Sequence, residues 1–110
     1  MERRSAKRKL VHIEAQMILD GGSYSGYIEN ISEQGIYIET AASDPLKTPK
    51  DFAPETTLYV KFHLPSGEKI DLHCKVKWAY QIAPHGLTTS IGMEIIFPPP
   101  NYLEFFKELK

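Results

Sequence analysis

The residue types with chemical reach in this 110-residue sequence gather in two short stretches. Arg4-Ser5-Ala6-Lys7-Arg8 holds two guanidinium groups four positions apart, and Asn30-Ile31-Ser32-Glu33-Gln34-Gly35 spaces an amide, a hydroxyl and a glycine along one polar connection. A guanidinium is a planar fork that grips a phosphate or the O6/N7 edge of guanine bidentately, and it also stacks on a base face; a lysine ammonium cannot do all of this. Asn30 and Ser32 are short polar residues that can hold a turn and still present an amide and a hydroxyl to a base edge. Gly35 permits a backbone conformation or a close approach that a Cβ would block. The plain reading of the same residues is a solvated basic leader, a polar turn and a glycine at the start of a strand, with Arg3 and Arg8 pairing to surface carboxylates at little gain.

Catalytic and metal chemistry find less support. His12, His63, His73 and His85 are scattered without ligand-like spacing, and His63 and His73 fall on the polar alternations of their segments. Cys74 lies among apolar inward positions, between Leu72 and Val76, whereas a reactive thiolate needs an exposed electropositive setting. No nucleophile elbow, zinc-protease helix or phosphate loop occurs. The expectation is a non-enzymatic chain with no catalytic residue, no metal and no cofactor. A lone cysteine cannot close an intramolecular disulfide, which fits a reducing, cytoplasmic setting. No apolar run approaches the roughly 20 residues of a membrane span.

The elements that must carry these residues follow from period-two alternation. Val11, Ile13, Ala15, Met17 and Leu19 mark a half-buried strand that ends at the turn-forming Asp20-Gly21-Gly22-Ser23; residues 24–29 make a second strand, and Ile36 and Ile38 face inward on a third. Residues 41–55 lose the period and bring Pro45, Pro49 and Pro54, the longest loop, with Phe52 placed to tuck it down. Leu58, Val60, Phe62 and Leu64 share one face of a fourth strand, and Ile70, Leu72, Cys74, Val76, Trp78 and Tyr80 one face of a fifth. Both sets are even-numbered, so an odd loop must join them, and Pro65-Ser66-Gly67 suits a type I turn with Gly67 left-handed. A further loop spans 81–89, and the last strand runs over about 90–97, with Ile91, Met93, Ile95 and Phe97 inward. After Pro98-Pro99-Pro100, Asn101 suits a helix N-cap, Glu104 its capping-box partner, and Tyr102, Phe105, Phe106 and Leu109 repeat at helical spacing over 101–110. Six antiparallel strands with one terminal helix point to a closed barrel, since closure removes exposed edges.

Charge divides the chain in the same place. The net charge is −1, but residues 1–9 carry five cations against Glu2, a sum of +4, which leaves −5 for residues 10–110. The expected organisation is a flexible basic arm over 1–9 and a single barrel domain over 10–110, the arm raising the local concentration of anionic partners.

With the Arg-x-x-x-Arg pair just ahead of the first strand and Asn-x-Ser-x-x-Gly between the second and third, the chain resembles the PilZ family of bacterial cyclic di-GMP receptors, whose pattern takes Asp or Asn at the first position of the second motif. Ser90-Ile91-Gly92-Met93-Glu94-Ile95 looks like that family's closing strand, and the resemblance covers nearly the whole chain. The long loop 41–55 and the short helix depart from the family, away from the motif positions. The resemblance implies a small all-β, six-stranded antiparallel barrel with a short C-terminal helix. It implies cyclic di-GMP as ligand, held by Arg4, Arg8, Asn30, Ser32 and Gly35, with Arg3 influencing how many ligand molecules bind. It also implies a protein effector in motility, polysaccharide or pilus regulation, reached when the arm orders over the barrel mouth. Two other classes remain: a barrel of this kind used as a protein-interaction module without nucleotide, and a single-stranded nucleic-acid binder. The last must contend with the −5 charge of the barrel segment.

Overall fold

The structure, a computed structural model, describes residues 7–19, 22–41, 53–82 and 88–109. These form β1 (Lys9–Leu19), β2 (Gly22–Ile31), β3 (Gly35–Ala41), β4 (Thr57–His63), β5 (Lys69–Ile82), β6 (Thr88–Ile95) and α1 (Pro100–Glu108). All sheet pairings are antiparallel in the order β1-β2-β3-β6-β5-β4. The ring closes where β4 returns to β1, from Ala15 opposite Phe62 to Ile18 opposite Tyr59. The alternation fills the interior: Met17, Ile28, Ile36, Ile38, Val60, Leu72, Val76 and Ile91 are fully enclosed. Each such aliphatic side chain contributes about 1.5–3 kcal/mol by leaving water.

Two bulges decide which residues face out near the polar connection and along β5. On β2, Ile28 opposes Ile38 and Asn30 opposes Tyr37, so Glu29 is an extra residue with no counterpart on β3. Ile28 and Ile31 are therefore both buried although three positions apart, and Asn30 is left half-buried between them. On β5, Val76 opposes Met93 while Trp78 opposes Gly92, which makes Lys77 the extra residue. The expectation that Trp78 continues the inward face of Val76 is thus overturned. Lys77 reverses the parity, Ala79 packs on the core, and Trp78 is 40% exposed on the outside of the barrel. There Trp78 lies flat over Gly92, where a Cβ would come within 2.3 Å of its ring, and its ring centroid is 5.7 Å from that of Tyr37.

The β4–β5 hairpin matches its expected chemistry. Leu64 N–H donates to Glu68 O and Gly67 N–H to Leu64 O, both at 2.8 Å, with Gly67 at φ +95°. Two expectations at the end of the chain fail together. Asn101 is not the N-cap: the triple proline presets the backbone, Pro99 is the cap without a side-chain bond, and Pro100 begins the helix. Asn101 therefore lies inside the first turn, and its amide donates to Glu68 at 3.3 Å instead. Phe97 is not inward either, because β6 ends at Ile95 and Ile96 N–H donates across to His73 O, after which the chain turns away with Phe97 at φ +52° and 91% exposed. The helix does bury the face its spacing implied: Tyr102 and Phe106 are buried, and Phe105 and Leu109 pack against the core.

The expectations for Arg3, Arg4, Phe52, the prolines of 45 and 49 and most of the two long loops lie outside the described residues, as does the side chain of Tyr80.

Candidate ligand-binding site

Arg8 of the first motif meets the second motif, which starts 22 residues later at Asn30. Arg8 sits one residue ahead of β1, and its Nη1 donates to Asn30 Oδ1 at 2.7 Å. Asn30 reaches that position because the Glu29 bulge directs it away from the core while Leu10 and Asn30 pair across the ladder. Gly35 opens β3 beside them, and a Cβ built there would lie 3.5 Å from Arg8 Nη2, 3.4 Å from Ser32 Oγ and 3.2 Å from Met93 O. Its φ is not left-handed, so of the two reasons for a glycine the structure selects close approach: a Cβ would crowd Met93 O and fill the space beside the guanidinium.

Ser32 begins the connection and is only 2% exposed. Its N–H donates to Gly35 O at 2.8 Å and its hydroxyl to the same oxygen at 3.4 Å, a long bond that a better acceptor could displace. Ile95 N–H donates to Gln34 O at 2.8 Å and anchors the connection to the end of β6. The site thus presents a guanidinium, an amide and a nearly covered hydroxyl on a rigid strand-turn-strand frame, a surface suited to an anion bearing a base edge.

Sequence reasoning missed two residues of this neighbourhood. Tyr102, fully buried on α1, donates its hydroxyl to Ser32 O at 2.5 Å. Burial holds its phenol above the usual range, assisted by Cys74, while Arg8 pulls in the opposite sense, so it remains a donor at neutral pH. Lys9 places Nζ 2.8 Å from Phe106 O and 2.9 Å from Leu109 O, and 4.3 Å from the Phe106 ring centroid. In the sequence Lys9 is one more cation of the arm and Tyr102 one more apolar helix position; only the fold brings them here. Cys74 is fully enclosed, and burial pushes its thiol up to about 12, which removes it as a nucleophile at neutral pH.

A closed barrel of six antiparallel strands, with Arg8 against Asn30 of β2 and one helix following β6, defines a small closed-barrel class rather than an open sandwich. The sequence matches the PilZ domain family over residues 2–105, and the chain belongs to that family. No curated protein matches it significantly. Among solved structures it is similar to the Bacillus subtilis inhibitor of motility MotI/DgrA, with 17% identity and TM-score 0.72 over 96% of this chain and 50% of that one. It is similar also to the K. pneumonia MrkH–c-di-GMP complex, with 16% identity and TM-score 0.69 over 98% of this chain and 51% of that one. The c-di-GMP-bound PilZ domain of YcgR from Escherichia coli aligns at 10% identity and TM-score 0.72 over 96% of this chain and 87% of that one. The chain spans about half the length of the first two.

Proposed function

We propose that this chain is a non-enzymatic receptor domain for cyclic di-GMP, with Arg3, Arg4, Arg8, Asn30, Ser32 and Gly35 as its ligand-binding set. The observation that carries the reading is the contact of Arg8 with Asn30 over Gly35, which joins the two motifs into one donor surface. Membership of the PilZ family and the cyclic di-GMP bound by MrkH and by the YcgR domain support it.

In this mechanism Arg8 and Arg4 engage phosphate and guanine edges by charge-assisted, bidentate bonds. Asn30 and Ser32 read the base, and Gly35 leaves room for ligand and guanidinium together. The dianion draws the arm ahead of Arg8 against the barrel and creates a surface that an unidentified protein effector reads. Calorimetric titration with cyclic di-GMP, with GTP and a single-stranded oligonucleotide as controls, tests the proposal. Saturable uptake of cyclic di-GMP alone is expected. Uptake of none of the three would favour an interaction module, and uptake of the oligonucleotide alone a nucleic-acid binder.

A further inference from the structure

The end of β1 that carries Arg8 is held differently from the rest of the barrel wall. β1 pairs with β4 only from Ala15 to Ile18, so Lys9–Glu14 have β2 as their sole strand partner among the described residues. A strand end paired on one side frays more readily than a central one, and its motion would pass directly to the guanidinium one residue beyond. Lys9 counters this by donating to two carbonyls at the C-terminal end of α1, Leu109 O and Phe106 O, the latter also accepting from Leu109 N–H, where the helix dipole is negative. The same helix reaches the other half of the site through Tyr102 and the carbonyl of Ser32. One short helix is therefore bonded to the residue after Arg8 and to Ser32 itself.

We infer that Lys9 and Tyr102 are positioning residues for the ligand site: by tying α1 across the start of β1 and the β2–β3 connection, Lys9 fixes the guanidinium of Arg8 and Tyr102 fixes Ser32. The inference rests on the cyclic di-GMP reading for its affinity readout and has a second readout that does not. Lys9 acts through Arg8, so its influence vanishes when Arg8 is gone; a lysine acting as a separate phosphate contact would keep its influence and would set part of the salt dependence.

The test uses the full chain with Lys9→Met, which keeps most of the stem on Phe106 and deletes the donors, and with Lys9→Arg, which restores donors. Tyr102→Phe removes one hydroxyl. Cyclic di-GMP is titrated at low and high salt in the wild-type and Arg8→Ala backgrounds. Lys9→Met is expected to weaken binding about tenfold with the salt slope unchanged and to add nothing to Arg8→Ala, while Lys9→Arg stays close to wild type. Wild-type affinity in Lys9→Met, a loss that persists in the Arg8→Ala background, or a changed salt slope would each overturn the inference. In the ligand-free protein, Lys9→Met should average the Arg8 Nε–H resonance and Tyr102→Phe should speed exchange of the Ser32 amide. If the wild type takes up no cyclic di-GMP, the functional reading falls, and these two signals still decide this inference: changed, they support it; unchanged, they sink it.

Discussion

Arg8 and Asn30 stand 22 positions apart in the chain, yet the guanidinium of one donates to the side-chain oxygen of the other at 2.7 Å. The contact orients one arginine of the Arg-x-x-x-Arg pair beside Gly35. Such preorganisation lowers the side-chain entropy that binding would otherwise cost.

Arg8→Ala is therefore expected to weaken cyclic di-GMP binding about ten- to hundred-fold, the loss of a charge-assisted bond worth roughly 1.5–3 kcal/mol, and Arg4→Ala to do likewise. Arg8 is exposed and precedes the first strand, so the melting temperature of Arg8→Ala should stay within about two degrees of wild type. Calorimetry and thermal denaturation of the same samples separate the two effects. Wild-type affinity in the Arg4→Ala/Arg8→Ala double variant would remove the site.

Gly35→Ala tests the glycine by filling the space it leaves. A Cβ 3.2 Å from Met93 O forces a small shift in the strand, and at 3.5 Å from Arg8 Nη2 it fills the space left beside the guanidinium. The stability loss should be about 1 kcal/mol, whereas affinity should fall about tenfold or more. Equal affinity in this variant would mean that the close approach has no part in binding.

The parts of this arrangement that were legible in sequence are those set by local pattern. Alternation placed Met17, Ile36, Val60 and Leu72 inside, and the odd loop at Pro65–Gly67 was dictated by the parity of its flanking strands. The two motifs were legible as residue types, and Arg8, Asn30, Ser32 and Gly35 do converge. Trp78 was misread because a bulge inserts one residue without any compositional signal, so that Ala79 rather than Trp78 packs on the core. Lys9 and Tyr102 were illegible as site residues since their partners are backbone carbonyls about 70 to 100 positions away.

That bulge yields a stability prediction. Trp78 covers Gly92 so closely that a Cβ there would lie 2.3–2.6 Å from three atoms of the indole. Gly92→Ala must push the ring off the β5–β6 surface and disturb its packing with Tyr37, at a cost of about 1–3 kcal/mol. Thermal denaturation should show the loss, and tryptophan fluorescence should shift to the red as the ring enters water. An unchanged melting temperature and spectrum would contradict this packing.

Ser32→Ala separates base recognition from charge. The hydroxyl is 2% exposed and loosely bonded to Gly35 O, so removing it leaves the phosphate-neutralising arginines in place. Discrimination between cyclic di-GMP and its adenine counterpart should narrow, while the slope of affinity against salt stays that of the wild type. Asn30→Asp should be tolerated, because an aspartate still accepts from Arg8. If Ser32→Ala changed the salt slope as much as Arg8→Ala, the division of labour between serine and arginine would be wrong.

Arg3, just ahead of the Arg-x-x-x-Arg pair, bears on stoichiometry. Two stacked cyclic di-GMP molecules carry four negative charges and present an additional guanine face. A third guanidinium beside Arg4 and Arg8 can offset that charge and stack on the extra base, whereas a leucine can do neither. The wild type is expected to bind a pair of ligand molecules per chain at saturation, and Arg3→Leu a single molecule with lower affinity. The barrel should be indifferent to the change, since β1 begins only at Lys9. Calorimetric stoichiometry on both proteins, with the concentration of active sites fixed by an independent measure, decides it. One ligand per chain in the wild type and the same in Arg3→Leu would reduce Arg3 to a solvated charge of the arm.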